Sequence, residues 1–322
     1  MRNWIYKKIF LKIVRPTLHR VGLDLVYFSP PTDKRDVFDR TESILGKIAS
    51  YVPEKGPTPG ERIIWQFWWQ GADNAPSLVK KCFESVRRHA RGRRVVVIDE
   101  QNISQYADIP TCIAEKHRLG AISHTHFSDY LRVKLLQEHG GVWIDATVLL
   151  TDDIPDDILT AKAFAFKTSL WAHSNNIPSP DMFLTTIQTA GHDRIGGGEC
   201  ACSNWFLSSW RDSALMVVMS KALESYWMDA ERIDDYFLFH FFLSYAVSAN
   251  KFCRDEFVAM PTRINVKPHM LLFKLLEPFD MGVWRQVRIA SPIHKLTYKG
   301  NDLYDTKGTF LEALLSGSLA EN

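Results

Sequence analysis

Hydrophobic and polar positions along this chain follow two periods that trade places. Short apolar runs rich in β-branched and aromatic residues occur at Arg62 to Trp69 (RIIWQFWW), Arg94 to Asp99 (RVVVID) and Val142 to Ile144. Between them lie helical stretches, one at Ser77 to Arg88 and one running from Phe127 to the stop at Gly140 and Gly141. Such a succession predicts a mostly parallel sheet with helical crossovers from Arg62 to about Leu150. Beyond it, Thr151 to Asp157 reads as an acidic loop and Ala163 to Phe166 as a further strand. His173 to Asp181 and Gly191 to Cys202 are rich in Gly, Pro, Asn and Ser and predict loops, with the triple glycine Gly196 to Gly198 either a lid or an ordinary connection. Phe206 to Trp227 predicts an amphipathic helix, and the apolar run Tyr236 to Val247 predicts a buried one, too short to cross a bilayer. Breakers at Pro30-Pro31 and Pro53 to Gly60 divide the chain into a helical extension with linker (1–60), a main domain (61–305) and a tail (306–322).

The segment from Phe127 to Thr147, FSDYLRVKLLQEHGGVWIDAT, carries the densest chemistry. Asp129 and Arg132 stand three residues apart and share one helix face. The glycine pair then feeds an apolar strand that ends on Asp145, at the kind of strand end where open α/β sheets bind ligands. Carboxylates accept hydrogen bonds from hydroxyls or hold a cation, and a guanidinium forks onto phosphate oxygens, so the set suits a polyol joined to a diphosphate. Each part alone has a bland reading: a surface ion pair contributes only a few tenths of a kcal/mol, and Gly-Gly ends many helices.

These residues resemble the capsular polysaccharide synthesis glycosyltransferases, relatives of the mannosyl- and galactosyltransferases with a Ser-Asp-x-x-Arg helix and a strand ending in Asp-x-Asp. Ser128, Asp129 and Arg132 match the first motif, and Asp145 matches the first acid of the second. Thr147 stands where many relatives place the acid that holds a divalent metal. A hydroxyl is a far weaker ligand for a hard cation. Further echoes at Ser203 to Trp210, Ile233 to His240 and His294 to Lys299 extend the likeness over roughly Arg62 to Gly300.

The resemblance implies a GT-A-like α/β fold: a single Rossmann-type mixed sheet flanked by helices, with an N-terminal helical extension and a helical C-terminal portion. It also implies roles. Gln66 and Trp68 on the first strand and Asp99 after the second would hold the nucleotide, with Trp68 stacking on the base. Ser128, Asp129, Arg132 and Asp145 would bind the nucleotide-sugar, a UDP-sugar being favoured. Lys295 and Lys299 would neutralise the diphosphate, and Asp145 with the imidazole of His294 would hold a divalent cation such as Mn²⁺ or Mg²⁺. Asp235 would orient the sugar or acceptor. Asp145, Asp235 and Arg132 form the expected catalytic set. From pattern alone the residues have structural readings too: a core tryptophan at Trp68, a turn acid at Asp99, a helix-capping acid at Asp235 and a solvated histidine at His294.

Charge changes this picture at one end. The chain of 322 residues has a net charge of +2, which argues against nucleic acid as a partner. Arg2, Lys7, Lys8, Lys12, Arg15 and Arg20 nevertheless all precede the first acid, Asp24. Lys8, Lys12 and Arg15 share a helical face opposite Tyr6, Phe10 and Ile13, although Trp4 and Leu11 project towards the basic side. Residues 1–20 thus read as a basic amphipathic helix that lies on an anionic membrane surface or packs on the main domain. No apolar run near the start is long enough to span a bilayer, and no signal-peptide pattern occurs there. Cys82, Cys112, Cys200, Cys202 and Cys253 are odd in number and lack zinc-finger spacing, so they read as free thiols of a reducing compartment.

The expectation is therefore a cytoplasmic enzyme, peripheral on the inner face of a membrane. It would move a sugar from a nucleotide donor, with retention, to a polysaccharide or lipid-linked glycan of a capsule or related surface. A non-catalytic fold of the same type acting as a partner in an assembly complex is the alternative. A hydrolase or nucleotidyltransferase lacks support, since neither a P-loop nor a Gly-x-Ser-x-Gly elbow is present.

Overall fold

A computed structural model describes residues 35–168, 202–234, 236–299 and 305–319, with side chains from residue 41 onward. Its centre is a mixed five-stranded sheet. Strands β1 (Ile63–Phe67), β2 (Arg94–Ile98) and β3 (Gly141–Ile144) are parallel, with β1 in the middle of the three. Strands β5 (Ala163–Lys167) and β6 (Cys202–Ser209) extend the sheet antiparallel, giving the order β2-β1-β3-β6-β5. A separate antiparallel ribbon joins β4 (Val148–Leu150) to β7 (Ile293–Lys295).

Both faces of the sheet are covered, as parallel strands with helical crossovers require. All five residues of β1 are buried. Trp65, Phe67, Trp143 and Leu207 fall on one face, against helices α4 (His124–Glu138), α6 (Ala214–Asp229) and α7 (Leu238–Ala249). Ile64, Val142, Ile144 and Phe206 fall on the other, where Val86 of α2 (Ser77–Arg88) packs. The remaining helices are α1 (Arg35–Ser50), α3 (Thr111–Arg118), α5 (Asp156–Thr160), α8 (Lys251–Ala259), α9 (Val266–Lys274), α10 (Met281–Ala290) and α11 (Phe310–Ser316).

The expected Rossmann-type mixed sheet flanked by helices is thus observed, and α2 coincides with the helix read from Ser77 to Arg88. Two readings are corrected. Phe206 to Ser209, expected to begin an amphipathic helix, lies in strand β6; the strand is buried on both faces and so shows little polar alternation. Helix α6, expected to be amphipathic, is buried on nearly all sides because α1, α4, α7 and α8 surround it. Outlying helices of the described residues pack onto the body: Asn250 donates to the carbonyls of Ile48, in α1, and Tyr51, just after it, and α11 packs on α2.

The helix-to-strand turn before β3 explains the glycine pair. Gly140 and Gly141 have φ of 70° and 97°. A Cβ on Gly141 would fall 2.7 Å from the Ile63 carbonyl oxygen, and one on Gly140 would fall 2.7 Å from the Gly60 Cα. Only glycine permits both the dihedrals and the close approach of these backbones.

Candidate active site

Helix α4 brings the first acid and base. Ser123 caps it, its hydroxyl accepting from the His126 amide, and the following turns place Asp129 and Arg132 inward, 6% and 3% exposed. Arg132 Nη2 lies 3.1 Å from Asp129 Oδ1 and also donates to Ser128 Oγ at 2.9 Å. Its Nε donates to the Ser128 carbonyl and its Nη1 to the Asn204 carbonyl on β6, at 3.0 and 2.6 Å. The guanidinium lies over the rings of Trp143 and Phe239.

Strand β3 brings the second acid. Asp145 follows its last residue, and a tight turn closed by the Val148 amide on the Asp145 carbonyl leads directly into β4. Trp143 Nε1 donates to Asp145 Oδ1 at 2.9 Å, and Arg132 Nη2 lies 3.5 Å from the same oxygen. Oδ2 accepts from Lys295 Nζ at 2.8 Å, and the same ammonium donates to Thr147 Oγ1 at 2.8 Å. Register explains how Lys295 arrives: it pairs with Val148 across the ribbon, and the Leu296 amide donates to the Thr147 carbonyl.

The two carboxyls differ in proton affinity. Burial raises the Asp129 carboxyl to about 6, with Arg132 opposing, Asp145 adding and the Asn204 hydrogen bond opposing. Burial also pushes Asp145 up, but the Lys295 ammonium, the Arg132 guanidinium and the hydrogen bonds from Lys295 and Trp143 outweigh it and leave the carboxyl below its usual range. Asp145 is thus held as an anion.

Of the residues predicted from the sequence, Asp129, Arg132, Asp145 and Lys295 come together. Ser128 lies beneath them, its hydroxyl donating to the Thr125 carbonyl. Arg132 departs from the expected phosphate ligand: it is turned onto protein acceptors and organises the acids from behind. His294 is also corrected. Adjacent strand residues face opposite sides, so the register that sends Lys295 to Asp145 sends His294 into the protein interior. There it is 0% exposed, with Nε2 3.1 Å from Thr151 Oγ1 and its ring against Trp284, and burial lowers its pKa to about 3, helped by Arg288.

Gln66 and Trp68 share a face at the end of β1. Gln66 is fully buried, and neither of its amide atoms has a hydrogen-bond partner among the described residues. Trp68 meets the ring of Tyr298 edge-on at 5.5 Å. Asp99 spends Oδ1 on the amides of Gln101 and Asn102, closing the turn after β2. Lys299 is exposed. Asp235, the glycines 196–198 and residues 1–20 lie outside the described residues. Two further residues join the site. Asn204 Nδ2 donates to Asp129 Oδ1 at 2.9 Å. Tyr236 is 60% exposed and meets the ring of His126 on helix α4 edge-on at 5.4 Å; its phenol is raised by burial and then by Asp129 and Asp145. A family echo covered both segments, but no spacing singled out either residue.

The divalent cation implied by Asp-x-Asp relatives does not fit this donor set. Asp145 is shared between two basic groups and an indole N–H, Thr147 offers a hydroxyl, and His294 faces away. Magnesium and calcium sites depend on oxygen-rich, carboxylate-bearing shells. A second grouping of His89, Asp152 and Asp153 is on the surface, where His89 and Arg91 already pair with Asp153. A cavity of about 250 Å³ between α2 and the C-terminal helices, lined in part by Leu149, Thr151, Trp284 and Arg288, contains none of the clustered acids.

Residues 41–314 match the model of the family described as capsular polysaccharide synthesis protein. The chain belongs to that family. Curated relatives match over shorter spans. The O-glycosyltransferase braB of Annulohypoxylon truncatum is 31% identical over 144 residues, 42% of this chain and 32% of the relative. The O-glycosyltransferase PaGT of Phomopsis amygdali is 27% identical over 125 residues, 36% of this chain and 30% of the relative. The chain therefore spans about a third of the length of the curated relatives it matches. Family membership places the Ser128-Asp129-x-x-Arg132 helix and the strand ending at Asp145 well inside the matched region. No helix among the described residues is long and apolar enough to cross a membrane.

Proposed function

We propose that this family member is a glycosyltransferase that moves a sugar from a nucleotide-sugar, a UDP-sugar being favoured, to a glycan or lipid-linked acceptor of a surface polysaccharide. The observation that carries the reading is the joining of Asp129, Arg132, Asp145 and Lys295 at the carboxyl end of β3. A charge-balanced set of this kind, with Asp129 and Arg132 buried and Asp145 and Lys295 half-buried, is preorganised for charge that develops during a reaction. The names of the two fungal relatives support transfer as the reaction class.

In this reading Asp145 accepts hydrogen bonds from sugar or ribose hydroxyls, and Asp129 fixes the donor. Tyr236, exposed and against His126 of the same helix as Asp129, offers a ring on which a sugar face can pack. Gln66 and Trp68 lie where the base would enter, and Lys299 draws the diphosphate. The bond from the anomeric carbon to the diphosphate breaks with its electron pair going to the diphosphate oxygen. The acceptor hydroxyl oxygen forms the new bond to that carbon, and its proton ends on the released diphosphate. Attack on the face that the leaving group vacates gives retention. Lys295 stabilises the diphosphate charge more in the transition state than before it. Residues 1–20 would hold the enzyme on the anionic inner face of the membrane, close to a lipid-linked acceptor.

The test is release of nucleoside diphosphate from a panel of UDP-, GDP- and other activated sugars, with Asp145→Ala alongside. Release from one donor, abolished by the substitution, supports transfer. Absence of donor binding across the panel would favour a non-catalytic partner.

A further inference from the structure

We propose that Lys295 is a resident cation that takes the place of a divalent metal at the end of β3, so that the site binds a nucleoside diphosphate without a metal ion. The proposal rests on the donor reading above and specifies what neutralises that donor. Lys295 Nζ bridges Asp145 Oδ2 and Thr147 Oγ1 at 2.8 Å each, the first and third residues of the Asp-Ala-Thr turn. These are the positions from which a turn of this type would grip an ion. The ammonium has already taken them.

Three features separate this lysine from a surface lysine in an incidental ion pair. Backbone pairing fixes it, because β7 is in register with β4 and the Leu296 amide binds the Thr147 carbonyl. Both oxygens of its partner acid already face a cation, Oδ1 facing Arg132 beside the Trp143 N–H and Oδ2 facing Lys295, which leaves room for a hydroxyl donor but not for a second cation. A divalent ion arriving there would have to displace the ammonium or share an oxygen with it against like-charge repulsion. The third feature is Thr147 itself. Where an aspartate would need a cation of higher charge, a hydroxyl is satisfied by one N–H donor. An ammonium has three such donors, and two are used, so one remains among the described residues for a phosphate oxygen.

Nucleoside diphosphate binding by calorimetry, run with UDP and GDP in chelator and in Mn²⁺, tests the proposal together with Mn²⁺ electron paramagnetic resonance. The intact chain should bind one nucleotide equally in both conditions and immobilise no Mn²⁺ at the site. Lys295→Met, which retains most of the volume, should weaken binding in chelator by roughly tenfold to a hundredfold, the worth of a hydrogen bond to a charged group. Lys295→Met combined with Thr147→Asp should recover binding only when Mn²⁺ is added, with the ion immobilised. Circular dichroism checks that each variant folds. Nucleotide binding by the intact chain only with Mn²⁺, or immobilised Mn²⁺ in that chain, would overturn the proposal, as would unchanged binding in folded Lys295→Met. Failure of the donor reading looks different: no nucleoside diphosphate binds in either condition, while resonance still decides whether the Asp145-Thr147 turn accepts an ion.

Discussion

Asn204 Nδ2 donates a 2.9 Å hydrogen bond to Asp129 Oδ1, joining strand β6 to helix α4 across an acid that burial disfavours as an anion. The Asn204 carbonyl meanwhile accepts from Arg132 Nη1. One backbone and one side-chain group of a single residue thus address both members of the pair. Asp129 is fixed from two sides, and its charge state depends on that frame.

The pH dependence of stability follows from opposed shifts. Asp129 is raised to about 6, so the folded state holds its proton more tightly than the unfolded state; the stability this contributes is present at low pH and is lost as pH rises from about 4 to about 6. His117 and His269 are lowered to about 4, and His294 to about 3, in each case chiefly by burial. These histidines take protons in the unfolded chain near their usual value but not in the folded one, so stability falls as pH drops below about 6.5. Histidines dominate, and the urea midpoint should decrease on going from about pH 7 to about pH 5. Asp129→Asn removes the offsetting group, so its midpoint should decrease more steeply, its unfolding free energy falling by an extra amount on the order of 1 kcal/mol. A shallower decrease in the variant would contradict the raised Asp129 carboxyl.

Arg132 should behave as an organiser rather than a surface cation. It is 3% exposed and holds Asp129, Ser128 and the Asn204 carbonyl at once. Truncation leaves a buried carboxylate without its counter-charge, a change that costs about 3–5 kcal/mol. Arg132→Ala should lose stability on that scale in urea unfolding. Arg132→Lys should recover only part of it, because an ammonium cannot reproduce the fork onto two residues and a carbonyl. A loss below about 1 kcal/mol in Arg132→Ala would place the pair in the class of exposed ion pairs.

How much of this was legible in the sequence depended on whether a feature is local. Strands β1, β2 and β3 were visible as apolar runs, and the Asp129-Arg132 face followed from helical spacing alone. Gly140 and Gly141 announced the turn that aims β3. The partner of Asp145 was a different matter, since Lys295 lies 150 residues away and reaches it only through the β4–β7 register. Spacing cannot tell whether His294 or Lys295 faces the acid, because neighbours in a strand point to opposite sides and one step of register exchanges them. The family resemblance named Lys295 for the diphosphate and His294 for the cation, and the fold separates them. Asn204 went unnoticed for a related reason: β6 is buried on both faces, so no polar alternation marked it as a strand.

Gly141 offers a test of the turn itself. Its φ of 97° and a Cβ position 2.7 Å from the Ile63 carbonyl oxygen make alanine both strained and sterically blocked by backbone. Gly92, at φ 71°, has nothing within 4 Å of its added Cβ. Gly92→Ala should therefore cost only the left-handed penalty of about 1–2 kcal/mol, while Gly141→Ala should cost more and disturb Asp145 four residues on. Equal costs for the two substitutions, measured by thermal unfolding, would mean that β1 yields easily to the added carbon.

Gln66 sets stability against donor binding. It is fully buried in the middle strand of the parallel set, yet neither amide atom has a hydrogen-bond partner among the described residues. Leaving a buried polar group unsatisfied costs about 1–3 kcal/mol, and an apolar side chain of similar shape would avoid that cost. Gln66→Leu should accordingly raise the urea midpoint. Residues that lower stability without an internal partner are explained when a ligand supplies the partner, and Gln66 lies on the same face as Trp68, where the proposed nucleotide enters. The same variant should therefore bind nucleoside diphosphate more weakly while the fold gains, a divergence that neither a core-packing role nor general damage would produce. Calorimetry and urea unfolding on the one variant read both quantities. If both fall together, Gln66 is a structural residue whose partner belongs to the protein; if stability rises and affinity holds, the base is recognised elsewhere.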